Sequence, residues 1–142
     1  MVGIVIPTLN CSATLAPTLA SLQGVAGVGR IVVVDSGSAD GTCGIASRFG
    51  VEVVQASREG MYAAINVGLR RMECEWLTYV NGDDVLYDVE RLLAVARREA
   101  ADIVYGTVDF IDHAGRFIHS WTSAAPHRLL PLYRAGCSPL LQ

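Results

Sequence analysis

Ile31-Val32-Val33-Val34-Asp35-Ser36-Gly37-Ser38 decides how this chain is read, because an unbroken apolar run ends there in a carboxylate and a string of small residues. Apolar residues that follow one another without alternation suit a strand buried on both faces, as in a parallel sheet. A second segment of the same design follows, with Trp76 to Val80 running into Asn81-Gly82-Asp83-Asp84. Ligands collect at the carboxyl ends of the strands in an open parallel sheet, so both acidic ends should open on one edge.

Working outward, Val2 to Ile6 is another continuous apolar run, closed by Pro7, and Val51 to Val54 is a further strand. Between the strands lie segments of helical period. Leu15, Leu19 and Leu22 mark the first, with Ser12 as its N-cap. Pro17 requires that this helix either begins later than Ser12, with the proline in its first turn, or bends. Gly24 to Gly29 reads as a glycine-rich loop. A short helix through Ile45, Ala46 and Phe49, another over Met61 to Met72, and a last one from Asp88 to Ala100 complete the set. In the last, Leu92, Leu93 and Val95 are the expected core contacts. Strands alternating with helices predict an α/β fold, Rossmann-like, with a mostly parallel sheet flanked by helices. The final third changes character: Ile103 to Ile111 and Arg116 to Trp121 flank Asp112-His113-Ala114-Gly115, which predicts a C-terminal β-hairpin with Gly115 at positive φ. The whole chain, 1–142, is read as one domain.

Hydrophobic residues make up 51% of the 142, yet no stretch reaches the roughly 20 unbroken apolar residues of a membrane-spanning helix. The apolar content is that of buried strands. Net charge is −3, and the basic residues, every one an arginine, are scattered without a basic face, which disfavours nucleic-acid binding. The opening Met1-Val2-Gly3-Ile4-Val5-Ile6-Pro7 enters a strand without the basic segment of a secretory signal, so a cytoplasmic location is expected. Cys11, Cys43, Cys74 and Cys137 stand too far apart for the usual zinc spacing and are read as free, mostly buried thiols.

The chemistry sits in the acidic strand ends. Adjacent carboxylates repel unless a cation lies beside them, so Asp83 and Asp84 suit a hard divalent ion, Mg²⁺ or Mn²⁺, bridged to a diphosphate. The plainer reading is a turn with a helix cap. Asp35 can accept hydrogen bonds from a nucleobase or a ribose while Ser36, Gly37 and Ser38 let the ligand approach; alternatively Asp35 and Asp40 cap the next helix. Arg58 and the amides after Gly60 would face an anion, or mark an ordinary helix start. Asp109 and Asp112 are candidates for a general base, against a solvated surface role. Glu59 fits dipole stabilisation equally well, and His113, His119 and His127 read as surface or hairpin residues. A nucleotidyltransferase or dinucleotide enzyme is a rival class, although neither a glycine-rich fingerprint after the first strand nor a P-loop is present.

Ile4-Val5-Ile6-Pro7-Thr8-Leu9-Asn10, the run Val32 to Thr42, Gly60-Met61-Tyr62-Ala63-Ala64-Ile65-Asn66-Val67-Gly68 and Asn81-Gly82-Asp83-Asp84 occur in an order that resembles the family 2 glycosyltransferases of GT-A fold. The likeness covers nearly the whole chain, with Asn81 where many members have a first aspartate. It implies that Pro7, Thr8 and Asp35 contact a nucleoside, most often uridine, with Asn10, Ser38, Arg58 and Gly60 around the donor. Asp83 would sit near the ribose and sugar, and Asp84 would ligate the metal, with Asp83 beside it; Asp84 and, as the base read from the residues themselves, Asp109 are the expected catalytic residues. The implied reaction is an inverting transfer from a nucleotide-diphosphate sugar, most often a UDP-sugar, to a hydroxyl of a saccharide or lipid-linked acceptor. Family members continue beyond Gln142 through a segment that builds the acceptor site, so this chain resembles the donor-binding part, and a binding module without catalysis is the alternative function. Apolar surface left by that segment predicts self-association as a homodimer. A lipid-linked acceptor would bring peripheral membrane contact.

Overall fold

The computed structural model describes residues 1–122. Two compact units divide the chain, Met1–Leu93 and a second that begins at Ala94. His127 and Cys137 lie outside the described residues.

The first unit is built on a four-stranded parallel sheet in the order β3-β2-β1-β4, formed by β1 (Val2–Thr8), β2 (Val28–Asp35), β3 (Glu52–Gln55) and β4 (Trp76–Tyr79). Every residue of β1 is buried, as its unbroken apolar sequence requires of a central strand. Side chains alternate across it. Ile4 and Ile6 join Val33 on one face and pack with Leu15, Leu19 and Leu22 of α1 (Leu15–Leu22), Ala46 of α2 (Thr42–Arg48) and Val89 and Leu93 of α4 (Val89–Arg98). Val5, Val32 and Val34 face the other way, onto Ala64 of α3 (Met61–Leu69) and Met72. Helices therefore cover both faces, and the α/β fold with a parallel sheet is as expected.

Local chemistry moves several boundaries. The first helix begins at Leu15 with Thr14, not Ser12, as its N-cap, which leaves Pro17 in the first turn where a missing amide costs no intrahelical bond. Ser12 is engaged elsewhere, its amide donating to Asp40 at 2.9 Å. The second strand starts at Val28, inside the expected Gly24 to Gly29 loop, because Val28 already pairs with Val2 and Arg30 with Gly3, the register shifting past Gly29 between them. In α4 the buried positions are Val89, Leu93 and Ala96, while Leu92 and Val95 are half-buried, so the expected core stripe was displaced around the helix. The helix over Met61 stops at Leu69. Cys11, Cys43 and Cys74 are free but half-buried instead of mostly buried.

Gly68 shows how closely α3 lies on the sheet. A Cβ at that position would stand 2.6 and 2.8 Å from the two γ-carbons of Val5 and 3.0 Å from a γ-carbon of Val34. No flexible side-chain end is available to yield there.

In the second unit, β5 (Thr107–Ile111) and β6 (Phe117–Thr122) form the expected antiparallel hairpin. Val108 lies opposite Trp121 and Phe110 opposite His119, whose rings stack at 4.5 Å, while Asp109 lies opposite Ser120 on the other face. Gly115 takes the positive φ that the turn needs, +76°. Asp112 closes that turn by accepting the amides of Ala114 and Arg116 at 2.8 and 2.9 Å and the Arg116 guanidinium.

Replacing Gly68 by alanine should destabilise the fold by about 1–3 kcal/mol through overpacking against Val5 and Val34. Urea denaturation checks this; an unchanged midpoint would contradict the close approach of helix and sheet.

Candidate functional site

The strand order carries the first clue. The chain steps outward from β1 to β2 to β3, then returns to the far side of β1 for β4, so the direction of winding reverses between β1 and β4. Open α/β sheets bind ligands at such a reversal, outside the carboxyl ends of the strands. A cleft of about 670 Å³ lies there. Pro7 and Thr8 at the end of β1, Asn81, Gly82 and Asp83 after β4, and Arg58 and Gly60 on the approach to α3 line it.

Of the residues singled out from sequence, Pro7, Thr8, Asn10, Arg58, Gly60 and Asp83 line this cleft. Asp35 is 1% exposed and lies beneath the turn that follows β2. Its carboxylate accepts hydrogen bonds from the hydroxyls of Thr8 and Ser38 and from the amides of Gly37 and Ser38. Burial pushes this carboxyl up, and the hydrogen bonds from Ser38, Gly37 and Thr8 more than offset it, leaving the group below the usual carboxylate range. Ser38 is shared between Asp35 and the Asn10 amide, which it accepts at 2.8 Å. Asn10, held at φ +55°, returns a bond by accepting the Ala39 amide at 3.0 Å.

Asp40, read from sequence as a helix cap, has a wider reach. It accepts the amide of Thr42, the first residue of α2, and the Thr42 hydroxyl, and it also takes the amide of Ser12 from the β1–α1 loop. The Thr42 oxygen in turn accepts the Cys11 amide at 2.9 Å. The Thr42 and Ser12 bonds hold Asp40 well below the ordinary carboxylate range. Together these contacts latch the loop after β1 to the turn after β2.

The acidic turn is self-closed. Asp84 N–H donates to the Asn81 carbonyl at 3.1 Å, and Asn81 Nδ2 donates to Asp84 Oδ2 at 2.8 Å. An amide at position 81 thus holds the carboxylate of Asp84 where a third acid would repel it. Asn81 Oδ1 is buried without a partner. Both aspartates are exposed. Burial pushes the Tyr79 phenol up, and Tyr62 and the Asp84 charge add to it. Among the described residues no group of three or more His, Cys, Asp or Glu side chains is placed to hold a metal alone. Two adjacent carboxylates beside a cleft instead suit a hard cation that takes its remaining ligands from water and a bound phosphate.

Arg58 spans the β3–α3 approach, its Nε donating to the Ser36 carbonyl at 3.1 Å and Nη2 to the Gly37 carbonyl at 2.6 Å. Gly60 adopts φ +101° and ψ 166°, a region essentially closed to side-chain-bearing residues. Asp109 belongs to the second unit, where it accepts the Ser120 hydroxyl. Ser36, read as leaving room for a ligand, lines the cleft as well, and so do Thr14 and Cys11, which had not been read as site residues. The sequence signal for Thr14 is Pro17 three residues on, which has no amide to receive a capping bond.

A parallel α/β sheet with a cleft at its reversal point and an acidic turn beside it defines a doubly wound type of fold, and comparison with known proteins narrows it. The model of the family described as glycosyl transferase family 2 matches residues 3–135. The PGL/p-HBAD biosynthesis glycosyltransferase of Mycobacterium tuberculosis is 35% identical over 119 residues, 76% of this chain and 46% of that protein. An uncharacterized glycosyltransferase of the same organism is 29% identical over 138 residues, 90% of this chain and 62% of that protein. Among solved structures, Staphylococcus aureus TarS superposes with a TM-score of 0.63 at 24% identity, over 70% of this chain and 20% of its own. Glucosyl-3-phosphoglycerate synthase from M. tuberculosis, solved with Mn²⁺, UDP and phosphoglyceric acid, gives 0.55 at 27% identity, over 60% of this chain and 34% of its own. The chain belongs to glycosyl transferase family 2, and its fold is GT-A. It spans about half the length of the first curated relatives it matches. No helix of the described residues is long and apolar enough to cross a membrane.

The depressed carboxyls set a pH response. A carboxylate held low in the folded state stabilises it above the unfolded value of about 4, and that stability is lost as pH falls through the folded value, because the unfolded chain takes up the proton first. Asp35 and Asp40 therefore predict stability that falls on acidification below about pH 4. Asp40→Asn should lower stability at pH 7 and flatten this acid dependence in urea titrations; an acid limb identical to that of the wild type would show that Asp40 does not contribute.

Proposed function

We propose that this chain binds a nucleoside-diphosphate sugar in the cleft between β1 and β4 and serves the transfer of that sugar to a hydroxyl acceptor. The observation that carries the reading is the acidic turn Asn81–Asp84 on the rim of a cleft at the sheet's reversal point, in a chain of this family. The donor is taken as a UDP-sugar, because the M. tuberculosis synthase that shares this fold was solved with UDP.

In this reading Pro7, Thr8 and the turn at Ser36 receive the nucleoside, and Asp35 contributes by holding that turn rigid. Arg58, tied to the Ser36 and Gly37 carbonyls, keeps the approach to α3 in register with it, so that Gly60 and the first amides of α3 face the phosphates. Asp84, with Asp83 beside it, would hold Mg²⁺ or Mn²⁺; when bound, such a cation neutralises charge on the departing diphosphate. The acceptor oxygen attacks the anomeric carbon as the bond to the diphosphate oxygen breaks, which inverts that centre. The acceptor's proton passes to a carboxylate, for which Asp109 on β5 is the candidate. The acceptor is a saccharide or lipid-linked hydroxyl.

Thermal denaturation with UDP, with and without Mn²⁺, tests the reading, since a ligand that binds only the folded state raises its stability. UDP with Mn²⁺ should raise the melting temperature more than either alone, and Asp84→Ala should abolish the extra rise. A rise independent of metal, unchanged in Asp84→Ala, would remove Asp84 from the metal site. Donor binding with no transfer or hydrolysis of a UDP-sugar would identify a binding module.

A further inference from the structure

Thr14 stands at the N-cap of α1, where a threonine oxygen ordinarily accepts the amide of the second or third helical residue. The third helical residue here is Pro17, which has no amide, and Thr14 makes no side-chain capping bond. The hydroxyl points elsewhere. Thr14 Oγ1 donates to the carbonyl of Gly82 at 2.7 Å, across 68 positions of sequence. Its approach to the Cys11 carbonyl is far longer, 3.5 Å, and a hydroxyl has one proton to give, so the bond to Gly82 is the one made.

Gly82 is the residue before the two aspartates, and its carbonyl belongs to the same planar peptide as the Asp83 amide. Fixing one end of a planar group fixes the other, and with it the direction in which the chain leaves toward Asp83 and Asp84. The backbone is also pressed against the same loop: a Cβ at Gly82 would stand 3.2 Å from both Cβ and Sγ of Cys11. Asn81 closes the turn from within, and among the described residues the Thr14 hydrogen bond and the Cys11 contact tie it to the loop after β1.

We propose that Thr14 is a positioning residue for the acidic turn: spared from capping by Pro17, its hydroxyl orients the Gly82–Asp83 peptide so that Asp83 and Asp84 converge on one divalent cation. The inference rests on the donor reading given above. Because the same loop is hydrogen-bonded to the Asp35–Thr42 turn through Asn10, Cys11 and Ser12, Thr14 also sets the distance between the nucleoside side of the cleft and its metal side.

The test compares wild type, Thr14→Val and Thr14→Ser, with Thr14→Ala as a second way of removing the hydroxyl. UDP binding is titrated calorimetrically with and without Mn²⁺, and amide hydrogen exchange at residues 82–84 is followed without ligand. Thr14→Val should weaken the Mn²⁺-dependent part of UDP binding by about tenfold to a hundredfold, as for other groups that orient metal ligands. It should also speed exchange at Asp83 and Asp84, and Thr14→Ser should restore both. If the wild type couples Mn²⁺ to UDP and the valine and alanine variants couple them equally well, Thr14 has no positioning role while the donor reading stands. If the wild type shows no such coupling, the donor reading fails and this inference with it.

Discussion

Parallel pairing of β1 to β2 on one side and to β4 on the other is the constraint on which the first unit depends. The Thr8–Asp35 register brings the end of β1 level with the first acidic turn, and the Val5–Tyr79 register does the same for the second. Segments separated by more than 40 residues of sequence thereby face a common space. A slip of one residue along β1 would turn Val5 toward α1 and Ile4 and Ile6 toward α3, so burial on both faces protects the alignment. The cleft is a by-product of a packing problem solved elsewhere.

Two kinds of contact then refine that alignment. Hydrophobic packing places the strand ends to within a side chain's width, and the hydrogen bonds of Asn10, Cys11, Ser12 and Thr14 place the loops between them. The loop after β1 is the common member of these contacts. Its polar groups are spent on neighbouring turns instead of on its own helix, which explains why α1 begins without a side-chain cap and why Asn10 holds a left-handed backbone angle. Asp35 and Asp40 are bound in the same way: both are carboxylates whose oxygens accept backbone and hydroxyl donors of the neighbouring turns.

Much of this was legible in the sequence. Unbroken apolar runs such as Val2 to Ile6 admit little but a buried parallel strand, and Gly115 with Asp112 marks a hairpin turn by local chemistry alone. The pattern of Val32 to Thr42 and Asn81 to Asp84 pointed to the family before any coordinates. What was not legible depends on contacts between distant segments. Ser12 is a good cap by type, but Asp40 claims its amide and Pro17 moves the helix start, and neither follows from Ser12 itself. Leu92 and Val95 are as apolar as Leu93, yet the direction from which α4 is covered favours Val89 and Ala96. The order of strands, and so the point where the winding reverses, is likewise a property of the assembled sheet.

Gly60 and Gly68 are both glycines near the ends of α3, and they are closed to substitution for opposite reasons. At Gly68 the neighbours exclude a side chain; at Gly60 nothing lies within 4 Å of where a Cβ would stand, and the backbone angles alone exclude it. Surface accessibility and mutational tolerance therefore part company at Gly60. A variant library scored by burial would rank this exposed rim position among the permissive ones, whereas selection on a folded cleft would empty it of every residue but glycine. Sequence drift around the mouth of the site is thus limited by a dihedral angle as well as by any ligand it receives.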